Sequence, residues 1–143
     1  MAQAGSIEAV MTPYPYSIDA DAHAGTAWSM LNQLRIHHLP VRDGQQVFGV
    51  VTDRDLKRAQ ILGQDLSGNS EVRVADVCSR DVYIVAPETS LIEVLEHMAE
   101  QQHDAALVVR QGQLVGIFTY SDVCRRYAEL LRSEAARPPR QSK

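Results

Sequence analysis

Thr52 and Thr119 stand 67 residues apart (119 − 52), and the same ungapped offset joins Asp55 to Asp122, Gly49 to Gly116, Val41 to Val108 and Val10 to Val77. It also pairs Ile18 with Val85, Asp21 with Glu88, Leu31 with Met98 and Arg58 with Arg125. An internal repeat of this regularity makes the chain two diverged copies of one unit. The copies occupy residues 6–65 and 72–132. Between them the stretch "GQDLSGNSEV" carries the Gly, Ser, Asn and Asp of a linker, placed at residues 66–71.

Each copy has the pattern strand, helix, strand, strand, helix. In the second, "VYIVA" is a β-rich run followed by "SLIEVLEHMAEQQ", whose Leu91, Val94, Leu95 and Met98 fall on one helical face. Ser90 and Glu93 form a capping-box pattern at its start. "AALVV" and "LVGIF", split by "RQGQ", give a hairpin. "SDVCRRYAELLR" closes the unit as a helix with Val123, Tyr127 and Leu130 or Leu131 on one side. The first copy follows suit, with "TAWSMLNQLRI", "HLPV", "VFGVV" and "RDLKRAQIL", although Gly25 weakens its first helix. One such unit leaves a face of its three-stranded sheet uncovered. The expected fold is therefore α/β, with two pseudo-symmetric β-α-β-β-α repeats packed through their sheets into one module.

A chain of 143 residues, 45% hydrophobic and 22% charged, suits one soluble module. No apolar run approaches the roughly 20 residues that span a bilayer, so no membrane insertion is expected. "MAQAGSIEAVMTP" lacks a basic region followed by an apolar stretch, so no signal peptide is expected either. The net charge of −4 argues against a nucleic-acid partner, which would need many Lys and Arg for its phosphates. Cys78 and Cys124 belong to no C-x-x-C pair and suit free thiols in a reducing cytoplasm. Residues 133–143, ending in "RPPRQSK", are expected to form a disordered basic tail.

The repeated sentence is Gly, two apolar residues, Thr, two variable residues, Asp. Taken alone, Thr-x-x-Asp at a strand-to-helix junction is a helix cap, with the acid on the positive end of the helix dipole. Three features favour a ligand. Asp is shorter than Glu or Gln and should reach back less well. The motif recurs at the same place in both copies. A helix N-terminus also offers free N–H groups to an anion. A hydroxyl, with a carboxylate one turn later, suits a ligand carrying phosphate and vicinal hydroxyls, as in a ribonucleotide. The variable slots differ: Arg54 brings a fixed fork for phosphate where Ser121 brings one neutral hydroxyl. His37 and His38 stand where the second copy has Asp104 and Ala105, so the two sites should be unequal.

With the tandem unit, "VMTP", "IHHLPV" and the paired G-x-x-T-x-x-D, the chain resembles a tandem pair of cystathionine-β-synthase (CBS) domains, a Bateman module, from about Ile7 to Leu131. The resemblance implies a regulatory module, not an enzyme. It would bind adenine nucleotides or adenosyl ligands (AMP, ADP, ATP, NAD or S-adenosylmethionine) in two clefts between the repeats. No cofactor is required; Mg would accompany ATP. It also implies a homodimer and an effector protein of unknown identity. Carried over, Asp55 and Asp122 would hold ribose hydroxyls, with Thr52 and Thr119 at the ribose–phosphate end. Arg54 and Ser121 fall in the phosphate slot, and His37, with His38 beside it, in the segment that reaches phosphate. Tyr16, Ser17 and Ile18, with Tyr83, Ile84 and Val85, would frame the adenine, whose faces Val41, Ala105 and Val108 would line. "VCSR" in place of "VMTP", and Asp104, set the second copy apart.

Two other functions compete. Five histidines, two cysteines and many carboxylates offer material for an enzyme, yet no H-E-x-x-H, nucleophile elbow or P-loop lysine is present. His97 and His103 are not spaced as a one-turn metal pair. The alternative is a ligand-free interaction or dimerisation module.

Overall fold

The computed structural model describes residues 5–67 and 71–137. A 3₁₀ turn (Ile7–Ala9) and a short strand, β1 (Thr12–Pro13), open the chain. The first repeat continues with β2 (Ile18–Asp19), α1 (Ala24–Leu34), β3 (His38–Asp43), β4 (Gln46–Thr52) and α2 (Asp53–Ile61). The second has a one-turn helix α3 (Val74–Val77), then β5 (Tyr83–Val85), α4 (Leu91–Gln101), β6 (Ala105–Arg110), β7 (Gln113–Thr119) and α5 (Tyr120–Ala136). The predicted α/β pattern is present in both copies.

Each repeat builds its own sheet by the same rules. β2 pairs in parallel with β3, and β5 with β6, because a crossover helix (α1 or α4) joins each pair. The following strands form hairpins, and both carry a register shift at equivalent places, between Val41 and Arg42 and between Val108 and Val109. Gln111 and Gly112 both take positive φ, 52° and 79°, as a two-residue hairpin turn demands.

The edges of the sheets are exchanged. β1, from the start of the first repeat, pairs with β7 of the second, giving the order β1-β7-β6-β5. Ile7 is fully buried in the second core beside Val94, Met98 and Phe118. Reciprocally, Ser79 bridges Val50, and Val74 is fully buried in the first core among Leu31, Val41, Val51 and Leu56. The sequence copies therefore trade their leading arms. This explains the glycine of the repeated motif. A Cβ on Gly49 would collide with the backbone oxygen of Ser79, and one on Gly116 with the side chain of Met11.

Several sequence expectations change. Gly25 lies within α1, and a Cβ there would come 2.7 Å from the backbone oxygen of Leu66, which is itself core. Leu66 is thus packed structure at the edge of the linker, whose residues 68–70 lie outside the described residues. No Ser90 side-chain cap forms on α4; the backbone of Gly5 accepts from the Leu91 N–H at 2.7 Å and takes the cap's place. α5 runs on to Ala136, past residue 132, so residues 133–136 are helix, while 138–143 lie outside the described residues. On α5, Val123 packs on the second core, but Tyr127, Leu130 and Leu131 are exposed at 60%, 53% and 49%. No helix among the described residues is long and apolar enough to cross a membrane.

Candidate functional site

Both repeated acids do fold back onto their own helices. The Thr52 N–H donates to Asp55 Oδ2 at 3.0 Å, and the Asp55 N–H donates to Thr52 Oγ1 at 3.1 Å. In the second copy the Thr119 N–H and hydroxyl donate to Asp122 Oδ2 at 2.9 and 3.3 Å. Asp, expected to reach back less well than Glu or Gln, meets the N-cap N–H in both copies. β4 and β7 deliver each threonine in extended conformation, which brings its N–H within reach of a carboxylate one turn on.

Capping does not exhaust Asp122. Only 7% exposed, it keeps Oδ1 free of the cap, and there it accepts from the Thr12 hydroxyl at 3.3 Å and from Arg125 at 3.0 Å. Around this oxygen opens a cleft of about 300 Å³, within the range of small-molecule sites. Its walls come from both repeats. Thr119, Ser121 and Asp122 face Tyr16, Ile36 and His37, and Ile117 adds apolar surface. The cleft exists because β1, crossing to pair with β7, carries the segment up to Tyr16 over the second repeat's motif.

A second cavity of about 370 Å³ adjoins the first and shares His37 and His38 with it. Thr52, Arg54 and Lys57 line it, with Asp53 and Asp104. Its charges pair both within the first repeat and across to the second. His38 Nε2 lies 3.1 Å and Arg54 3.8 Å from Asp104 Oδ2, and His37 lies 3.3 Å from Asp53. Burial pushes the Asp53 carboxyl up, but the contact with His37 and the hydrogen bond from the Arg54 N–H outweigh it and hold it below the usual carboxylate range.

The place equivalent to the open cleft in the other copy is furnished differently. There Tyr83 stands for Tyr16 and His103 for Ile36. Tyr83 stacks on His97 at a 3.6 Å centroid separation, and the His103 ring, close to parallel with His97, lies 5.3 Å from His97 and 5.9 Å from Tyr83. His103 in turn contacts Asp81 at 3.2 Å. Burial, with Glu93 adding to it, raises the Tyr83 phenol. The residue expected to frame a second base is engaged in a ring stack instead. The two places therefore differ in what furnishes them, a cleft in one and stacked rings in the other.

Of the residues singled out from sequence, Tyr16, His37, His38, Thr119, Ser121 and Asp122 line the open cleft, and Thr52 and Arg54 the cavity beside it. Asp55 is among the lining residues of neither. Ile18, Val41 and Val108 are buried in the two cores, and Ile84 is 47% exposed. Ser17 accepts from Arg42 at 2.7 Å, away from the cleft, while Ala105 is a ladder residue opposite Thr119. Sequence reasoning missed Thr12, Arg35, Ile36, Lys57 and Arg125. Ile36 and Thr12 lie inside the quoted "IHHLPV" and "VMTP", and Arg125 one turn beyond Asp122. Among the described residues no group of three or more His, Cys, Asp or Glu is placed to hold a metal ion.

A family model described as "CBS domain" matches residues 7–62 and 74–129. Arabinose 5-phosphate isomerase KdsD of Yersinia pestis is 34% identical over 84 residues, 58% of this chain but 24% of its own length. The chain thus spans about a quarter of that relative, whereas it matches the CBS domain-containing protein YhcV of Bacillus subtilis at 27% identity over 82% of both. Among solved structures, AcuB from Vibrio cholerae superposes with a TM-score of 0.79 at 28% identity, covering 97% of this chain and 100% of that one. CBSX2, solved in complex with AMP, gives a TM-score of 0.71 at 24% identity over 88% and 98% of the two chains. The MJ0100 domain pair, solved with 5′-methylthioadenosine and S-adenosyl-L-methionine, gives 0.77 at 19% over 87% and 97%.

Proposed function

This chain belongs to the CBS domain family, and from that premise we propose that it is a regulatory module, without catalysis of its own, that senses an adenosine-containing small molecule. The observation that carries this reading is the cleft between the repeats, where a nearly buried carboxylate at Asp122 faces an apolar wall of Tyr16, Ile36 and Ile117. The base would lie against that wall. The ribose hydroxyls would donate to Asp122 Oδ1, with Arg125, an exposed side chain, swinging aside. Thr119, Ser121 and His37 would meet the phosphate end. The AMP and S-adenosylmethionine complexes of similar folds support the ligand class. Binding across two repeats favours one relative arrangement of them, and a partner protein would read that arrangement.

The exposed Tyr127, Leu130 and Leu131 on α5, with Ile61 and Leu62 at 84% and 76% exposure at the C-terminal end of α2, support a homodimer through these helix ends. The free thiols Cys78 and Cys124 favour a reducing compartment such as the cytoplasm.

A thermal-shift series with AMP, ADP, ATP, NAD and S-adenosylmethionine tests the reading. A ligand at about 100 times its Kd adds about 2.7 kcal/mol, a rise of several degrees in Tm for a chain of this size. An unmoved melting curve with all five would leave the ligand-free dimerisation module as the better account.

A further inference from the structure

We infer that the connector from Tyr14 to Ser17 is a strained strap that couples filling of the cleft to the shape of a groove on its other side, between the two hairpin turns. This rests on the adenosine reading above and adds where on the surface a filled cleft is registered.

The strap joins the two repeats with little slack. At one end the Tyr14 N–H donates to the Val115 carbonyl at 2.9 Å, extending the pairing of β1 with β7 of the second repeat. At the other end Arg42 Nε donates to Ser17 Oγ at 2.7 Å, just ahead of the pairing of Ile18 with Val41 in the first repeat. The three residue steps from Tyr14 to Ser17 span at most about 10 Å when fully extended. A change in the relative placement of the repeats must therefore be taken up by the backbone of these few residues.

Within that span the chain is strained. Tyr14 has a φ of 48°, a left-handed conformation that is costly for a bulky side chain. It also stands directly before Pro15, which favours extended backbone there. Its side chain is 78% exposed, so the anchors at either end, rather than side-chain packing, hold it in place.

The strap has a cavity on each side. Tyr16 lines the cleft at Asp122, Tyr14 lines a groove of about 350 Å³ with Arg42, Gln45 and Gln113, and Pro15 lines both. Gln113 Nε2 donates to Gln45 Oε1 at 3.1 Å across the two hairpin turns, so the groove too is built from both repeats. A base laid on Tyr16 draws the connector towards the cleft. Pro15, with its fixed φ, passes that shift to Tyr14, which relaxes and alters the mouth of the groove. Strain held in the empty form and released in the filled one favours the ligand, so removing the strain beforehand must weaken binding.

Calorimetry of the full chain with AMP, ADP, ATP, NAD and S-adenosylmethionine, repeated on Tyr14→Gly and Tyr14→Phe, tests this. Glycine takes the left-handed conformation without steric cost. Tyr14→Gly should therefore weaken binding by about fivefold or more, although Tyr14 lines the groove and not the cleft. Tyr14→Phe keeps the backbone strain and should bind as wild type does. A cooperative urea transition establishes that Tyr14→Gly is folded. In Tyr14→Trp, the tryptophan emission left after subtracting the wild-type signal of Trp28 should change with the same midpoint as calorimetric binding. Unaltered affinity in Tyr14→Gly, an equal loss in Tyr14→Phe, or emission in Tyr14→Trp that ignores saturating nucleotide overturns the inference and leaves the adenosine reading standing. Failure of all five compounds to bind the wild type removes both.

Discussion

The backbone N–H of Thr119 donates to Oδ2 of Asp122 at 2.9 Å, and this fixes the other oxygen of the same carboxylate, Oδ1, towards Thr12 and Arg125 in the cleft. The first copy repeats the cap between Thr52 and Asp55, yet that acid lines neither cavity. One motif thus serves as a cap in both copies and as a cap plus a cleft wall in the second.

Asp55→Ala and Asp122→Ala should therefore separate the two roles. Each removes a capping carboxylate and should cost about 1 kcal/mol of stability, read from urea unfolding. Only Asp122→Ala should also weaken adenine-nucleotide binding, by about tenfold or more in calorimetry. Equal binding losses in the two variants would show that the first copy's acid also reaches ligand.

The exchanged arms set different tolerances at the two motif glycines. A methyl on Gly49 meets the backbone of Ser79, which two hydrogen bonds to Val50, at 2.9 and 3.0 Å, hold in place. Gly49→Ala should lose about 1–3 kcal/mol through overpacking. Gly116→Ala meets only the side chain of Met11, a flexible thioether that can turn away. Its loss should be the smaller in the same denaturation experiment.

Asp53 contributes to acid stability. Its carboxyl is held below the usual carboxylate range in the folded chain, so folding gains from it at pH above that range and loses the gain as pH falls through the depressed one. The stability difference between wild type and Asp53→Asn, measured as urea midpoints, should be level above about pH 5 and shrink below about pH 4. A difference independent of pH would remove the role assigned to the His37–Asp53 contact.

The two thiols should react unequally. Cys124 is exposed, whereas Cys78 is half-buried, with its Sγ 3.9 Å from the Ala75 carbonyl. Burial pushes the Cys78 thiol up, against an opposing pull from Arg80, and the Asp55 and Asp76 charges push it further. Alkylation followed by mass spectrometry should label Cys124 first, with Cys78 slower by about tenfold or more at neutral pH.

Much of this fold was legible in the 67-residue offset because both copies keep their apolar positions at strand and helix spacing. Val94 and Met98, with Leu91 and Leu95 packed against them, fall in the core that this spacing implies. The arm exchange was not legible, since Ile7 and Val74 are apolar whichever core they enter. For the same reason the cleft could not be assembled from sequence. Tyr16 and Asp122 lie far apart in the chain and meet only because β1 crosses to β7. The ring stack of Tyr83, His97 and His103 was equally hidden. Its members were weighed singly as a base frame and a poor metal pair, and neither reading anticipates parallel rings.

The traded arms also say something about origins. A lone copy of this unit would have a leading segment with nothing to cover and a sheet edge left open to water. Such an ancestor becomes a complete fold only by meeting another copy of itself and swapping segments with it. Joining two genes end to end would then have turned a concentration-dependent encounter into a permanent one, and freed each half to drift towards a separate task.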